Sequence, residues 1–409
     1  MINYNYKKGN LIFDNLIIKN ITKEIETPFY CYSLNYLKNQ YSSLDNSINL
    51  KNYEICYAVK SNSNQSIIKN FANMGSGADV VSIGEMKRAL KANIAPNKIV
   101  FSGVGKTRQD LICAIKNNIK SINVESLSEL KLISALVKEL NTSANIALRL
   151  NPEIKSKTHP YLETGSSESK FGIAKSELIQ CMNIIKNQKN INLKGLAFHI
   201  GSEINDFSYF KRAISFMLDQ INLLNMDKQI EFLDVGGGLA IKYFDKDKTL
   251  SIKEFVEKVR NLVPNDIRLI YEPGKSIIGN AGYLMSKVLY KKKNILIIDA
   301  GMNDHIRTPL YGAKHNILPV RKQNKSKNKF IIAGPICESA DYFDKKFPYN
   351  LKEGELVVIG SSGAYGFSMS SNYNARLKPP EVLILHQKMK LIRQRESFDD
   401  FISEEIGLE

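Results

Sequence analysis

The feature that most constrains the fold is an alternation. Eight runs of β-prone, mostly apolar residues recur over the first two thirds of the chain, at 54–60, 77–82, 98–103, 121–125, 145–151, 193–202, 230–236 and 268–272. Segments with helical patterning separate them, at 65–74, 84–92, 107–117, 127–140, 175–187, 209–224 and 252–262. Strands that are apolar throughout are buried on both faces, as in a parallel sheet covered by helices. Eight such strands with helices between them predict a (β/α)8 barrel, a TIM-like architecture. Thr107, Ser126, Ser208 and Ser251 are the expected helix N-caps.

Beyond about residue 280 the rhythm changes. Short strand-like runs at 282–290, 294–299, 330–334, 355–359 and 381–386 follow one another without long helices, which predicts an antiparallel β domain. The β-like pieces 10–13 and 28–32 can join it. The expected organisation is therefore α/β. A barrel spans 36–280, and a mostly antiparallel β-barrel or sandwich domain is built from 1–35 and 281–409. A length of 409 residues suits two domains. The acidic tail (Asp399, Asp400, Glu404, Glu405, Glu409) is expected to be frayed or helical.

Composition excludes several classes. No apolar run approaches the roughly 20 residues needed to span a bilayer, and the first residues lack the apolar stretch of a signal peptide. A soluble, cytoplasmic protein without membrane partners is expected. The five cysteines (Cys31, Cys56, Cys113, Cys181, Cys337) have no CxxC spacing, which argues against a disulfide framework or a zinc site; no metal is expected. The net charge of +16 invites a nucleic-acid partner. However, the lysines are spread over the chain and rise together with asparagine and isoleucine, a bias of overall composition. The basic run 321–329 reads as a solvated loop between strands. No nucleic-acid partner is expected.

In a barrel, the C-terminal ends of the strands face the active site. Lys60, Asp79, Arg149, His199, the Gly236-Gly237-Gly238 turn and Glu272 all fall at such ends. A lysine there loses hydration, and a neutral amine is a nucleophile able to form a Schiff base. Taken alone, it more often snorkels to solvent. Three successive glycines let backbone N–H groups approach an anion such as phosphate, although alone they are also a flexible turn. Glu272 in a closed pocket needs a cationic or hydrogen-bonding partner, and a protonated pyridine nitrogen suits it, as would a nearby lysine. His199 can stack on a flat ring or be a satisfied core residue. Ser202 can donate to a phosphate or cap a turn.

With these segments in order, the chain resembles diaminopimelate decarboxylases of the alanine-racemase-like fold class of pyridoxal phosphate enzymes, over nearly its whole length. The matching segments are Tyr57-Ala58-Val59-Lys60-Ser61-Asn62, Gly77-Ala78-Asp79-Val80-Val81-Ser82, Lys170-Phe171-Gly172, His199-Ile200-Gly201-Ser202 and Asp234-Val235-Gly236-Gly237-Gly238. Further along come Glu272-Pro273-Gly274, Gly334-Pro335-Ile336-Cys337-Glu338-Ser339 and Gly363-Ala364-Tyr365-Gly366. Cys337-Glu338-Ser339, with Met302-Asn303-Asp304 and Arg307, points to diaminopimelate. Ornithine, arginine or carboxynorspermidine decarboxylase of the same fold is the alternative. The resemblance implies that Lys60 carries the internal aldimine, His199 stacks on the ring and Glu272 holds the pyridine nitrogen. Asp79, Arg149 and Gly274 belong to the same implied cofactor site. Gly236, Gly237, Gly238 and Ser202 take the phosphate. It implies that Arg307 and Tyr311 hold the far end of the substrate, Glu338 its distal amine, and Cys337 the proton. Tyr365 closes over the cofactor. Cys337 and Glu338 reach the partner's site, which implies a homodimer. The family usually has arginine where this chain has Lys275, which is expected to lie near a substrate carboxylate with looser geometry. Thr308-Pro309 after Arg307 is a smaller departure.

Overall fold

The structure is a computed structural model that describes residues 4–47, 52–155, 164–165, 169–225 and 230–407. The chain divides into two compact units, one formed by Tyr41–Ala240 and Lys248–Ser276, the other by Met1–Gln40, Ile241–Asp247 and Ile277–Glu409.

The first unit is a closed parallel barrel. Its strands are β1 (Tyr53–Ala58), β2 (Gly77–Val80), β3 (Ile99–Phe101), β4 (Ser121–Val124), β5 (Ala144–Arg149), β6 (Ile191–Ala197), β7 (Phe232–Asp234) and β8 (Arg268–Tyr271). Each pairs with the next, and Leu269 of β8 against Tyr53 of β1 closes the ring. Cys56, Val100, Ala147 and Phe232, one from each odd strand, form a buried layer with Ile270. Alternate strands supplying one layer is how such barrels fill their interior. Gly195 makes room for this layer, because a Cβ there would lie 2.3 Å from the Phe232 ring.

Most strands stop short of their expected C-terminal limits, since the chain turns as soon as it leaves the barrel wall. Lys60 lies in a one-turn 3-10 helix, Val59–Ser61, just past β1. His199 follows the end of β6 by two residues. Three of the expected N-caps hold: Thr107, Ser126 and Ser251 each accept a backbone N–H of the first turn. Ser208 does not cap its helix. The helix begins at Phe207, and the Asp206 side chain accepts the Ser208 N–H. An ionised carboxylate gains more from the positive end of the helix dipole than a hydroxyl does.

The second unit is built on the long strand β9 (Gly282–Lys292). Strand Phe29–Ser33 pairs antiparallel with its first half and runs parallel to Glu381–Leu385. Its second half pairs with Ile295–Ile298, which is parallel to Phe330–Ala333. Two parallel pairings thus interrupt a mostly antiparallel arrangement. Leu11, Phe29, Tyr283, Met285, Val358 and Ile384 lie in its core, so both the 10–13 and 28–32 pieces belong here. Tyr342–Phe347 and Lys388–Arg393 were not expected as strands. Both pair on one side only and carry lysines, the composition of an edge. The basic run 321–329 is a largely exposed loop between Ile317–Pro319 and Phe330–Ala333. Part of the acidic tail forms a short helix, Phe398–Ile402. Among the described residues, no helix is long and apolar enough to cross a membrane.

Candidate active site

A cavity of about 430 Å³ opens at the C-terminal ends of the barrel strands, lined among others by Lys60, Asn123, Arg149, His199, Asp234 and Glu272. The barrel explains the convergence: parallel strands deliver their last residues to one rim. Lys60 Nζ lies 2.6 Å from Asp79 Oδ2, at the end of β2, with its side chain about 32% exposed. The amine is therefore partly hydrated and ion-paired, and not stripped of solvent as the sequence alone suggested.

Three carboxyl groups share the floor. Asp79, Asp234 and Glu272 are all buried. Asp234 accepts the Gly236 N–H at 2.9 Å and an amide N–H of Asn123 at 3.3 Å, and it hydrogen-bonds Glu272. Burial, and then the charges of Asp234 and Asp79, hold Glu272 well above the usual carboxylate range. Burial likewise pushes Asp234 up to about 6. Glu272 Oε1 and Asp79 Oδ1 are buried without a hydrogen-bond partner among the described residues. Unpartnered buried carboxylate oxygens are costly. A flat heterocycle with a protonated nitrogen is the kind of group that would satisfy them.

His199 lies beside this floor. Its Nδ1 accepts the Gly237 N–H at 3.3 Å, so the ring proton sits on Nε2. Burial and the charges of Lys60 and Arg149 depress its pKa well below the ordinary value, which keeps the ring neutral. The glycine turn is tight. Gly236 has φ +64°, and a Cβ on Gly237 would lie 2.2 Å from the Glu272 carbonyl oxygen. Backbone N–H groups can therefore approach an anion where no side chain intervenes. Gly274 packs beneath the Lys60 turn, with its would-be Cβ 3.1 Å from Ser61 Cβ.

Arg149 is fixed by a clamp. Its Nη1 lies 2.6 Å from Glu125 Oε1, which also accepts the Gly103 N–H at 3.0 Å, while Oε2 accepts the Gly172 N–H at 2.9 Å. The Phe171 ring lies 4.9 Å from the guanidinium. Glu125 thus ties three loops around one cation. Lys275 Nζ lies 2.5 Å from Glu203 Oε1 and 3.2 Å from Ser202 Oγ.

The other candidates lie in the second unit. Arg307 opens the short helix Arg307–Tyr311, with its guanidinium 5.7 Å from the Tyr311 ring and 5.8 Å from the Tyr365 ring. Its Nη2 donates to the Tyr243 hydroxyl at 3.2 Å. Cys337 and Glu338 lie exposed on a turn, where the Cys337 N–H donates to Asn374 Oδ1 at 2.9 Å. Among the described residues, no cluster suited to a metal ion is found.

Residues 34–279 match the family model for the pyridoxal binding domain of pyridoxal-dependent decarboxylases. The diaminopimelate decarboxylase of Aquifex aeolicus is 38% identical, over 98% of this chain and 97% of its own. That of Vibrio cholerae is 39% identical, over 96% of each. The chain belongs to the diaminopimelate decarboxylase family. Two solved members have the same fold. The Helicobacter pylori enzyme complexed with L-lysine has a TM-score of 0.89 at 38% identity, covering 94% of this chain and 98% of its own. The M. jannaschii enzyme, also in complex with L-lysine, has a TM-score of 0.93 at 34% identity, covering 99% of this chain and 98% of its own.

Within this diaminopimelate decarboxylase frame, the sequence missed Asn123, Glu125 and Glu203. Glu125 ends the fourth predicted strand, so the strand-end criterion that selected Arg149 also reached it. Glu203 follows Ser202 in a turn and carried no such signal.

Proposed function

We propose that the chain decarboxylates meso-2,6-diaminopimelate to L-lysine and carbon dioxide, the last step of lysine biosynthesis, with pyridoxal 5'-phosphate as cofactor. The observation that carries this reading is the convergence of Lys60, His199 and Glu272 on one cavity, with Asp79 holding the Lys60 amine, in a chain of this family. The bound cofactor supplies an electron sink for the pair left on carbon when the carboxylate departs.

The chain's own groups do the rest. Lys60 provides the amine that holds the cofactor, and Asp79 fixes that amine at 2.6 Å. Glu272 would pass its proton to a ring nitrogen and, as the carboxylate left behind, would keep that nitrogen cationic, which would make the sink effective. His199, neutral and half-buried beside the floor, would lie against the cofactor ring and add no charge there. The glycine turn and Ser202 hold the phosphate. Arg149, fixed by Glu125, lends the rim a positive charge. Arg307, with Tyr311 and Tyr365 around its guanidinium, grips the distal carboxylate of the substrate. Cys337 Sγ delivers the proton to the carbon that lost the carboxylate, and Glu338 receives the distal ammonium. Both come from the partner subunit of a homodimer, which covers their exposed turn. The five free cysteines suit a reducing compartment, and we place the enzyme in the cytoplasm.

The test is carbon dioxide release from meso-diaminopimelate, L-ornithine and L-arginine in parallel, with an absorbance spectrum of the purified protein. Turnover of diaminopimelate alone is expected. Turnover of ornithine or arginine in its place would overturn the substrate, and a protein that takes up no pyridoxal phosphate would overturn the whole reading.

A further inference from the structure

Lys275, the residue after Glu272-Pro273-Gly274, is buried with its side chain 6% exposed, and its ammonium is held by Glu203. That carboxylate is itself held in place. Glu203 has φ +63°, a left-handed conformation that a residue with a Cβ keeps only when its surroundings impose it. The surroundings are the glycine turn. The Ile204 N–H donates to the Gly238 carbonyl at 3.0 Å, and the Ala240 N–H to the Ile204 carbonyl at 3.2 Å. A Cβ on Gly238 would fall 2.1 Å from the Gly201 carbonyl oxygen. Residues 201–204 are thus clipped to the anion-binding turn, and they carry a carboxylate to the lysine beside it.

We propose that Glu203 is a built-in competitor for oxyanions: it occupies the Lys275 ammonium until a phosphate or carboxylate of cofactor or substrate takes its place, and so sets affinity for that group. An ammonium has three N–H donors on one small charge, and two anions crowding it repel one another. Entry of an external oxyanion must therefore loosen the Glu203 contact. A guanidinium, with five donors in a planar fork, holds two anions at once. Lysine at this position is what turns Glu203 from a companion into a rival. The identity of the anions rests on the proposed function; the exchange requires only an oxyanion.

The test uses the full-length protein carrying Glu203→Gln, which keeps the shape and removes the charge. One arm titrates cofactor-free protein with pyridoxal phosphate and reads absorbance. The other measures KM for meso-diaminopimelate at saturating cofactor. If Lys275 serves the phosphate, the cofactor Kd falls about five- to thirty-fold; if it serves the substrate carboxylate, KM falls by that factor while kcat changes less. Either result supports the proposal. In a Lys275→Arg background the same substitution is expected to shift neither constant by more than about twofold. Should Glu203→Gln not fold, Glu203→Asp keeps the charge with a shorter reach and is expected to tighten one arm partially. Weaker or unchanged binding in both arms would overturn the proposal. A wild-type protein that releases no carbon dioxide from diaminopimelate would instead sink the proposed function, and the cofactor titration would still report on Glu203.

Discussion

Two carboxyl groups at the cavity floor, Asp234 and Glu272, hydrogen-bond each other in full burial, and both are pushed to hold protons at higher pH than usual. A raised acid stabilises the fold while it stays protonated. That contribution is complete below the unfolded value near 4 and is lost as pH rises through the folded value, about 6 for Asp234. The cofactor-free protein should therefore lose stability, relative to its Asp234→Asn variant, as pH rises from the unfolded value near 4 to the folded value of about 6, and the difference should level off above that. The expected slope of the difference is at most about 1.4 kcal/mol per pH unit for one proton. Urea unfolding of both proteins across this range measures it; a difference that is flat, or that grows with pH, would show that the pair does not share a proton. The lone carboxylate read from the sequence at Glu272 was right about position but not about company. Asp234 lay in view, in Asp234-Val235-Gly236-Gly237-Gly238, yet nothing in a linear pattern shows that the ends of β7 and β8 place two acids in contact.

At the scale of elements, the turn after β7 has no space for a side chain. Gly237→Ala would put a Cβ 2.2 Å from the Glu272 carbonyl oxygen, and backbone cannot yield as a flexible side chain can. The expected cost is about 1–3 kcal/mol of stability, with at least about tenfold weaker pyridoxal phosphate binding, since the turn and the Glu272 strand end must move apart. Gly105→Ala meets nothing within 4 Å and should stay within about 0.5 kcal/mol of wild type. Thermal unfolding and a cofactor titration of both variants check this, and equal behaviour of the two would refute it. The barrel was legible because its strands are apolar on both faces and its helices carry real caps at Thr107, Ser126 and Ser251. The second unit was read less completely. Lys388–Arg393 alternates lysine and arginine with apolar residues at an edge, so its pattern resembles a solvated segment, and the parallel pairing of Phe29–Ser33 with Glu381–Leu385 joins residues about as far apart in sequence as the chain allows.

At the scale of the whole molecule, the proposed chemistry divides between copies of the chain. Lys60 belongs to the barrel, whereas Cys337 and Glu338 stand exposed on a turn of the other unit. A thiol that must protonate a carbanion works poorly in open water, and an exposed cysteine is uncommon for a residue type that usually packs inside. A two-fold dimer resolves this if each Cys337 completes the partner's site, because an isologous interface supplies the same missing residue to both copies. The arithmetic of mixing then decides the matter. Lys60→Ala and Cys337→Ala should each be inactive or nearly so as pure proteins. Co-expressed in equal amounts, half of the dimers are mixed, and each mixed dimer holds one site with both substitutions and one site with neither. Activity should therefore recover to roughly a quarter of wild type. Sites made within a single chain would give no recovery at all, because every site would then carry one substitution. The mixed species should also show half the cofactor content of wild type per dimer, since only one of its two chains retains Lys60. That second readout separates true complementation from contamination by wild-type enzyme, which would bring cofactor and activity in equal proportion.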